Sequence, residues 1–271
     1  MNSEVAGKRF RIGDAEINII VHGFPGKSVC HGSLGFCTIV LVRRGDRLAL
    51  VDVGSFGQRD LLIDQLAERG LAPKDVTDVL LTHSHYDHSV NWTLFKDANI
   101  VIGRAELEWS VKEPWGETPV PELYVRELAR WPTLSAVEDG DEVFPGLTAH
   151  ATPGHTPGSP VFVLDASDRD VVFTGDACKN RAELLSRAAD MSYDPEVSRA
   201  SIDAIWAFWT RKRGSILVPG HDFPMVQEKG EPRYLGRREA AIRAWYSEDL
   251  NETTVFSLLP DAANSARTAA E

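Results

Sequence analysis

Residues 82–88 read THSHYDH, and four of these seven (His83, His85, Asp87 and His88) can each offer a lone pair to a metal ion. They follow the apolar run Val79-Leu80-Leu81, which has the length and the polar boundaries of a buried strand. A strand that ends in a tight loop can aim imidazoles and a carboxylate at one point from several directions. Neutral imidazole and carboxylate oxygen are donors that zinc, manganese and ferrous iron accept, and the run carries no thiolate. The whole chain has only eight histidines, so three of them within six residues weigh against a merely polar loop. The stretch reads as a metal site.

Four more residues of the same types stand elsewhere in the chain, one before this run and three after it. LALVDVG supplies Asp52, ATPGHTPGS supplies His155, VVFTGDA supplies Asp176 and ILVPGHD supplies His221. The HxHxDH run with this ordered set resembles the metallo-β-lactamase superfamily over more than half of the chain. Two positions depart from the family pattern: Val53 stands where threonine or alanine is common, and Val90 where glycine is usual. Neither removes a ligand, and Val90 is expected to narrow the pocket. The segment 60–101 is also similar to the branch that includes metallo-β-lactamase domain-containing protein one, which is associated with RNA hydrolysis.

The resemblance implies an α/β (α+β) chain folded as a four-layer αββα sandwich, with metals at strand ends between two mixed sheets. It implies that His83, His85 and His155 hold one divalent cation, that Asp87, His88 and His221 hold a second, and that Asp176 bridges them. Zinc is the expected metal, with manganese or ferrous iron as alternatives. Two such cations lower the pKa of a shared water and give hydroxide at neutral pH. Asp52 is then an acceptor that orients a metal-bound side chain, and Asp87 doubles as a proton shuttle. The implied activity is hydrolysis of an ester or lactone in a small molecule. Lactonases carry a tyrosine three residues past the bridging aspartate, where this chain has Lys179. A lysine there suits a substrate with a negative group near the scissile bond, with Arg181 in reserve. Phosphodiester, thioester or amide hydrolysis and iron-dependent dioxygenation are the alternatives.

The formal charge of −11 speaks against nucleic acid, whose binding depends on clustered lysine and arginine. No apolar stretch reaches the roughly 20 residues that cross a bilayer, and MNSEVAGKRF lacks the apolar core of a signal peptide. Three cysteines form no paired framework, which suits a reducing, cytoplasmic setting, and Cys178 reads as a small buried hydrophobe. A single domain over 1–260 is expected, with a disordered tail at 261–271. The oligomeric state stays open, a homodimer being one option.

Apolar runs at 17–21, 38–42 and 48–51 predict strands, the last two joined by the turn Arg44-Gly45-Asp46. The irregular loop 23–36, with His22 and His31 at and within it, is a candidate cover for the site, and both histidines read as structural. Ser55 to Gln58 has capping-box spacing. A helix follows with Leu62 and Leu66 on its apolar stripe and Gly70 as its stop. Ile100 to Ile102 predicts another strand. The segment 103–134, rich in tryptophan and proline, reads equally as a substrate wall or as short helices packed on the core. Strands are predicted at 147–151, 161–164, 171–174 and 216–218, with His150 an ordinary strand residue. Ile202, Ile205, Trp206 and Trp209 predict a helix, and a last amphipathic helix is expected through Ala241 and Trp245.

Overall fold

The early apolar runs lack the polar alternation of a half-solvated strand, so they predict strands covered on both faces. The computed structural model describes residues 8–259. It opens with β1 (Arg9–Ile12) and β2 (Ala15–Val21), then a two-residue ladder of β3 (Lys27–Ser28) and β4 (Gly32–Ser33) inside the irregular loop. β5 (Ile39–Arg44) and β6 (Arg47–Val51) form the predicted hairpin. α1 (Arg59–Ala67) leads into β7 (Asp78–Leu81), and the short α2 (Tyr86–Ser89) falls within the histidine run. β8 (Asn99–Gly103), α3 (Arg104–Ser110), α4 (Glu122–Leu128) and β9 (Leu134–Val137) complete the first half. Its seven strands lie in the order β1-β2-β5-β6-β7-β8-β9, antiparallel as far as β6 and parallel from there to β9.

The second half contributes β10 (Glu142–Phe144), β11 (Leu147–Ala151), β12 (Pro160–Asp165) and β13 (Asp170–Gly175). α5 (Arg181–Ser186) and α6 (Pro195–Thr210) then cross to β14 (Ile216–Pro219), followed by β15 (Met225–Glu228) and β16 (Glu231–Tyr234). These seven strands are sequential in the sheet and antiparallel, except that β13 and β14 run parallel.

Three apolar layers stack these elements. Val40, Val42, Val51 and Leu80 from the first sheet meet Phe162, Phe173 and Val218 from the second. The opposite pleat of the first sheet (Ile39, Leu41, Leu50, Val79) packs on Leu62 and Leu66 of α1, with Trp92 and Leu128. The outer pleat of the second (Val163, Val172, Leu217) packs on Ile202, Ile205 and Trp209 of α6. Each such side chain contributes about 1.5–3 kcal/mol when fully buried. Helices, sheet, sheet, helices is the four-layer sandwich that the resemblance implies.

The parallel pairs place the chemistry. β6 ends just before Asp52, β7 runs into the histidine run, β13 ends just before Asp176 and β14 leads into His221. All four loops therefore lie at carboxyl ends of strands, where open α/β sheets gather their ligands.

A second compact unit begins at Arg237. Here the expected amphipathic helix through Ala241 and Trp245 is absent, and β17 (Ala241–Ala244) pairs antiparallel with β18 (Thr254–Ser257). The spacing of Ala241 and Trp245 fits a helix, but neither is buried, so no apolar stripe rewards one. Thr254, Val255 and Phe256 offer a β-prone partner instead, and the Trp245 indole closes the hairpin by donating to the carbonyl of Leu250 (3.0 Å). Residues 261–271 lie outside the described residues. Among the described residues no helix is long and apolar enough to cross a membrane.

Candidate metal centre

Asp52 ties the end of β6 to the histidine run. Its φ of +55° lies in the left-handed region, which aspartate tolerates better than most residues because its short side chain bonds locally. One carboxylate oxygen accepts from the backbone N–H of Thr82 (2.8 Å) and the other from the Thr82 hydroxyl (2.8 Å). That second oxygen also faces His88 Nδ1 at 2.8 Å. Behind this loop Asn91 donates to the carbonyls of Val53, Gly54 and Ser55 at 2.9, 3.2 and 2.7 Å. Glycines allow close approaches here, both between the neighbouring ends of β13 and β14 and across to the first sheet. A Cβ on Gly220 would collide with Asp176 Oδ1, and one on Gly175, whose φ is +48°, with the side chain of Thr82.

All seven residues expected as ligands come together. His85 Nδ1 lies 3.1 Å from His155 Nε2, which is 3.4 Å from Asp176 Oδ2. The His83 ring sits 4.7 Å from His85 and 4.2 Å from His88. On the other side His88 Nε2 and His221 Nε2 are 3.1 Å apart, and each is 3.2 Å from Asp176 Oδ1. Asp87 Oδ2 lies 3.4 Å from His221 Nε2. The donor atoms fall into three overlapping groups: His83, His85 and His155; His83, His88 and Asp176; Asp87, His88 and His221.

The protonation pattern follows from the neighbours. The carbonyl of Phe36 can only accept, so His221 Nδ1, 3.0 Å away, carries a proton and Nε2 is the nitrogen left to face the cluster. Asp52 does the same for His88. The two Nε2 atoms, 3.1 Å apart beside a carboxylate, would repel as bare lone pairs, so a proton or a metal cation must lie among them. Burial drives His83 and His155 well below the ordinary histidine pKa and takes His85 down to about 4, so these rings are neutral donors. Burial also pulls on His88 and His221, but the carboxylates around them, Asp176 foremost, together outweigh it and both are raised, so without a cation these two rings favour a second proton, whose place a metal would take. Burial pushes Asp176 up, yet His221, His88 and His155 hold it well below the usual carboxylate range. His83 Nε2 is buried with no hydrogen-bond partner among the described residues. This donor set fits divalent cations.

The cluster lies at the floor of a cavity of about 610 Å³, walled by Phe24, Lys27, Tyr86, Trp109, Lys179 and Tyr193 among others. The 23–36 loop supplies one wall, as expected of a cover. The 103–134 segment does both things its sequence allowed. Trp131 packs on Trp92 (4.9 Å) in the core, while Trp109 stands against His85 (6.3 Å) in the wall. Sequence reading missed the wall at residues 190–193, where Tyr193 lies 6.0 Å from Trp109 and its N–H donates to the His155 carbonyl (3.2 Å). Lys179 is mostly buried, its ammonium 2.7 Å from the Asp190 carbonyl and 3.0 Å from Glu183 Oε1. Arg181, the reserve for Lys179, instead points its guanidinium at the Pro232 carbonyl (3.4 Å) and does not line the cavity. Val90 is buried away from the cavity wall, so it does not narrow the pocket. His22 stacks on Phe223 and His150 on Phe208, both outside the cluster, and Cys178 belongs to the core outside the second sheet.

Two stacked sheets that deliver seven histidine and aspartate donors from their strand ends define a metallo-hydrolase frame. The chain belongs to the Metallo-beta-lactamase superfamily, whose family model matches residues 32–221. It is 32% identical over 187 residues to Metallo-beta-lactamase domain-containing protein 1 of Xenopus laevis, covering 68% of this chain and 70% of that protein. It is 27% identical over 174 residues to the N-acyl homoserine lactonase of Bacillus thuringiensis, covering 64% of this chain and 65% of the lactonase. Among solved structures, AidC, a dizinc quorum-quenching lactonase, superposes with a TM-score of 0.68 at 18% identity, covering 85% of this chain and 97% of that one. At that identity the likeness is one of fold. Family and lactonase relatives together support a metal-dependent hydrolase.

Proposed function

We propose that this chain hydrolyses an ester or lactone bond in a small molecule, using two divalent cations, zinc in the first instance. The observation that carries the reading is the split of the donors about Asp176 at the cavity floor. Asp176 Oδ2 faces His155 beside His83 and His85, while Oδ1 faces His88 and His221 beside Asp87. His83, His85 and His155 would hold one cation, Asp87, His88 and His221 the other, and Asp176 both. The lactonase relative supports the choice of bond. Two cations so held would supply hydroxide from water at neutral pH and a Lewis acid for the oxygen of the bond to be cut.

The chain's own residues do the rest. Asp52 and the Phe36 carbonyl hold His88 and His221 in the tautomer that turns Nε2 inward. Asp87, with one oxygen turned toward His221, is placed to carry a proton to the leaving oxygen. Lys179 spends two of its three N–H donors on Glu183 and Asp190, and the third is available to an anionic group of the substrate. Trp109, Tyr193 and Phe24 shield the floor from water and receive an apolar group. The net charge of −11 favours a small molecule over a phosphate backbone.

The test is a hydrolysis screen of the zinc-loaded protein against lactones, aryl esters, thioesters, β-lactams and bis-phosphodiesters. Turnover of a lactone or aryl ester well above the other classes is the expected result. Preferred turnover of a bis-phosphodiester would overturn the ester reading and keep the metal site. A single bound iron with oxygen uptake would overturn hydrolysis altogether.

A further inference from the structure

Glu106 is a buried carboxyl that the reaction above leaves unused. It stands on α3 with no solvent exposure, between the two loops that carry His83, His85 and His155. Its Oε1 accepts from the backbone N–H of Ser84 (2.9 Å) and from the Ser84 hydroxyl (2.7 Å). Ser84 is the residue between His83 and His85, so both rings hang from a peptide that Glu106 holds. On its other side lies the loop of His155. Burial raises the Glu106 pKa above the ordinary carboxylate range, and the Thr156 side chain, Ser84 and the Gly158 N–H offset that only in part. Glu106 Oε2 and the Thr156 hydroxyl nevertheless close no bond of full geometry. Gly158 packs so tightly on α3 that a Cβ there would collide with the backbone nitrogen of Glu106.

A buried carboxylate is costly unless its partners are well placed, and an apolar side chain would fill the same volume without that cost. What a carboxylate adds is direction. Zinc–nitrogen bonds of about 2.0–2.1 Å at tetrahedral angles ask for donor nitrogens roughly 3.3 Å apart. His85 Nδ1 and His155 Nε2, on loops 70 residues apart in sequence, stand at 3.1 Å. We propose that Glu106 is a positioning residue for the three-histidine half of the centre, anchoring the loop of His83 and His85 against the loop of His155 without touching a ring. The inference rests on the reading of the cluster as a metal site.

The experiment uses the full chain stripped of metal and titrated with zinc against a chromophoric chelator. The visible spectrum of the cobalt-loaded protein and the melting curve are recorded beside it. Glu106→Ala should melt cooperatively but bind one of two zinc equivalents about 10–100-fold more weakly, the range seen when a partner of a metal ligand is lost. Its cobalt spectrum should shift. Glu106→Gln, which keeps an acceptor for Ser84, should recover most of the affinity, and His221→Ala should weaken the other equivalent instead. If Glu106→Ala does not fold, Ser84→Ala decides, expected to lose several-fold in affinity with an altered cobalt spectrum. Wild-type affinity for both equivalents and an unchanged cobalt spectrum in folded Glu106→Ala or Ser84→Ala would reduce Glu106 to a packing residue. A wild-type chain that takes up fewer than two equivalents is a separate result, and overturns the two-cation reading of the site.

Discussion

Asp52→Asn isolates the tautomer argument. Asparagine tolerates the φ of +55° at this position about as well as aspartate, so the backbone is not strained by the change. The amide keeps one oxygen, enough for the Thr82 N–H at 2.8 Å, but it turns an NH2 toward His88 Nδ1 at 2.8 Å. Donor then faces donor. The ring escapes only by moving its proton to Nε2, which removes the lone pair that faces Asp176 and His221. A hydrogen bond to a charged group is worth about 1.5–3 kcal/mol, and every 1.4 kcal/mol is about tenfold in affinity. Zinc binding should therefore weaken by roughly 10–100-fold, in line with losses of this kind at other metal sites. The site should not empty at saturating zinc. The assay is chelator competition on the stripped protein, with a denaturant melt to establish that the variant is folded. A folded Asp52→Asn whose zinc affinity lies within twofold of the parent would refute the reasoning. So would a loaded structure with an Asp52 oxygen bonded directly to a metal.

The other predictions concern the same centre. Chelation should abolish turnover and readdition of zinc restore it, with two equivalents per chain by elemental analysis, and His221→Ala should cost one equivalent selectively. Lys179→Met should raise KM for an anionic substrate, and lower kcat as well if the contact tightens in the transition state, while neutral analogues are unaffected; equal losses on both would point to a structural role in holding Glu183. Gly220→Ala adds a Cβ that meets Asp176 Oδ1 and the Gly175 carbonyl, so zinc affinity and stability should fall together. A melting temperature and zinc titration matching the parent would show that the ends of β13 and β14 can part at no cost.

The cluster of histidines and aspartates was legible because most of its chemistry is written in one short run. His83, His85, Asp87 and His88 share one loop, and Asp52, Asp176 and His221 each announce themselves by ending an apolar run. The layers followed from runs such as Val40-Leu41-Val42, where alternate residues serve the inner and outer cores. What periodicity could not supply was anything set by backbone bonds between distant loops. Tyr193 reaches the cavity because its N–H and that of Asp194 bond the loop at Gly154 and His155. The Phe36 carbonyl that orients His221 has no side-chain signature at all. The failed helix at Ala241 has a related cause. Local spacing alone favoured a helix, and the partner strand that decided otherwise lies ten residues further on.

The donors are divided between the halves of the sandwich. His83, His85, Asp87 and His88 hang from the first sheet, and His155, Asp176 and His221 from the second. Neither half owns a complete coordination sphere, so cations would act as a removable clasp between them. Ligand that binds only the folded state stabilises it by RT ln(1 + [L]/Kd), about 2.7 kcal/mol at a hundredfold excess over Kd. That is a substantial share of the 5–15 kcal/mol that ordinarily separates folded from unfolded chains. Lifetime as well as catalysis would then depend on metal supply, and starvation for zinc would first loosen the seam between the sheets.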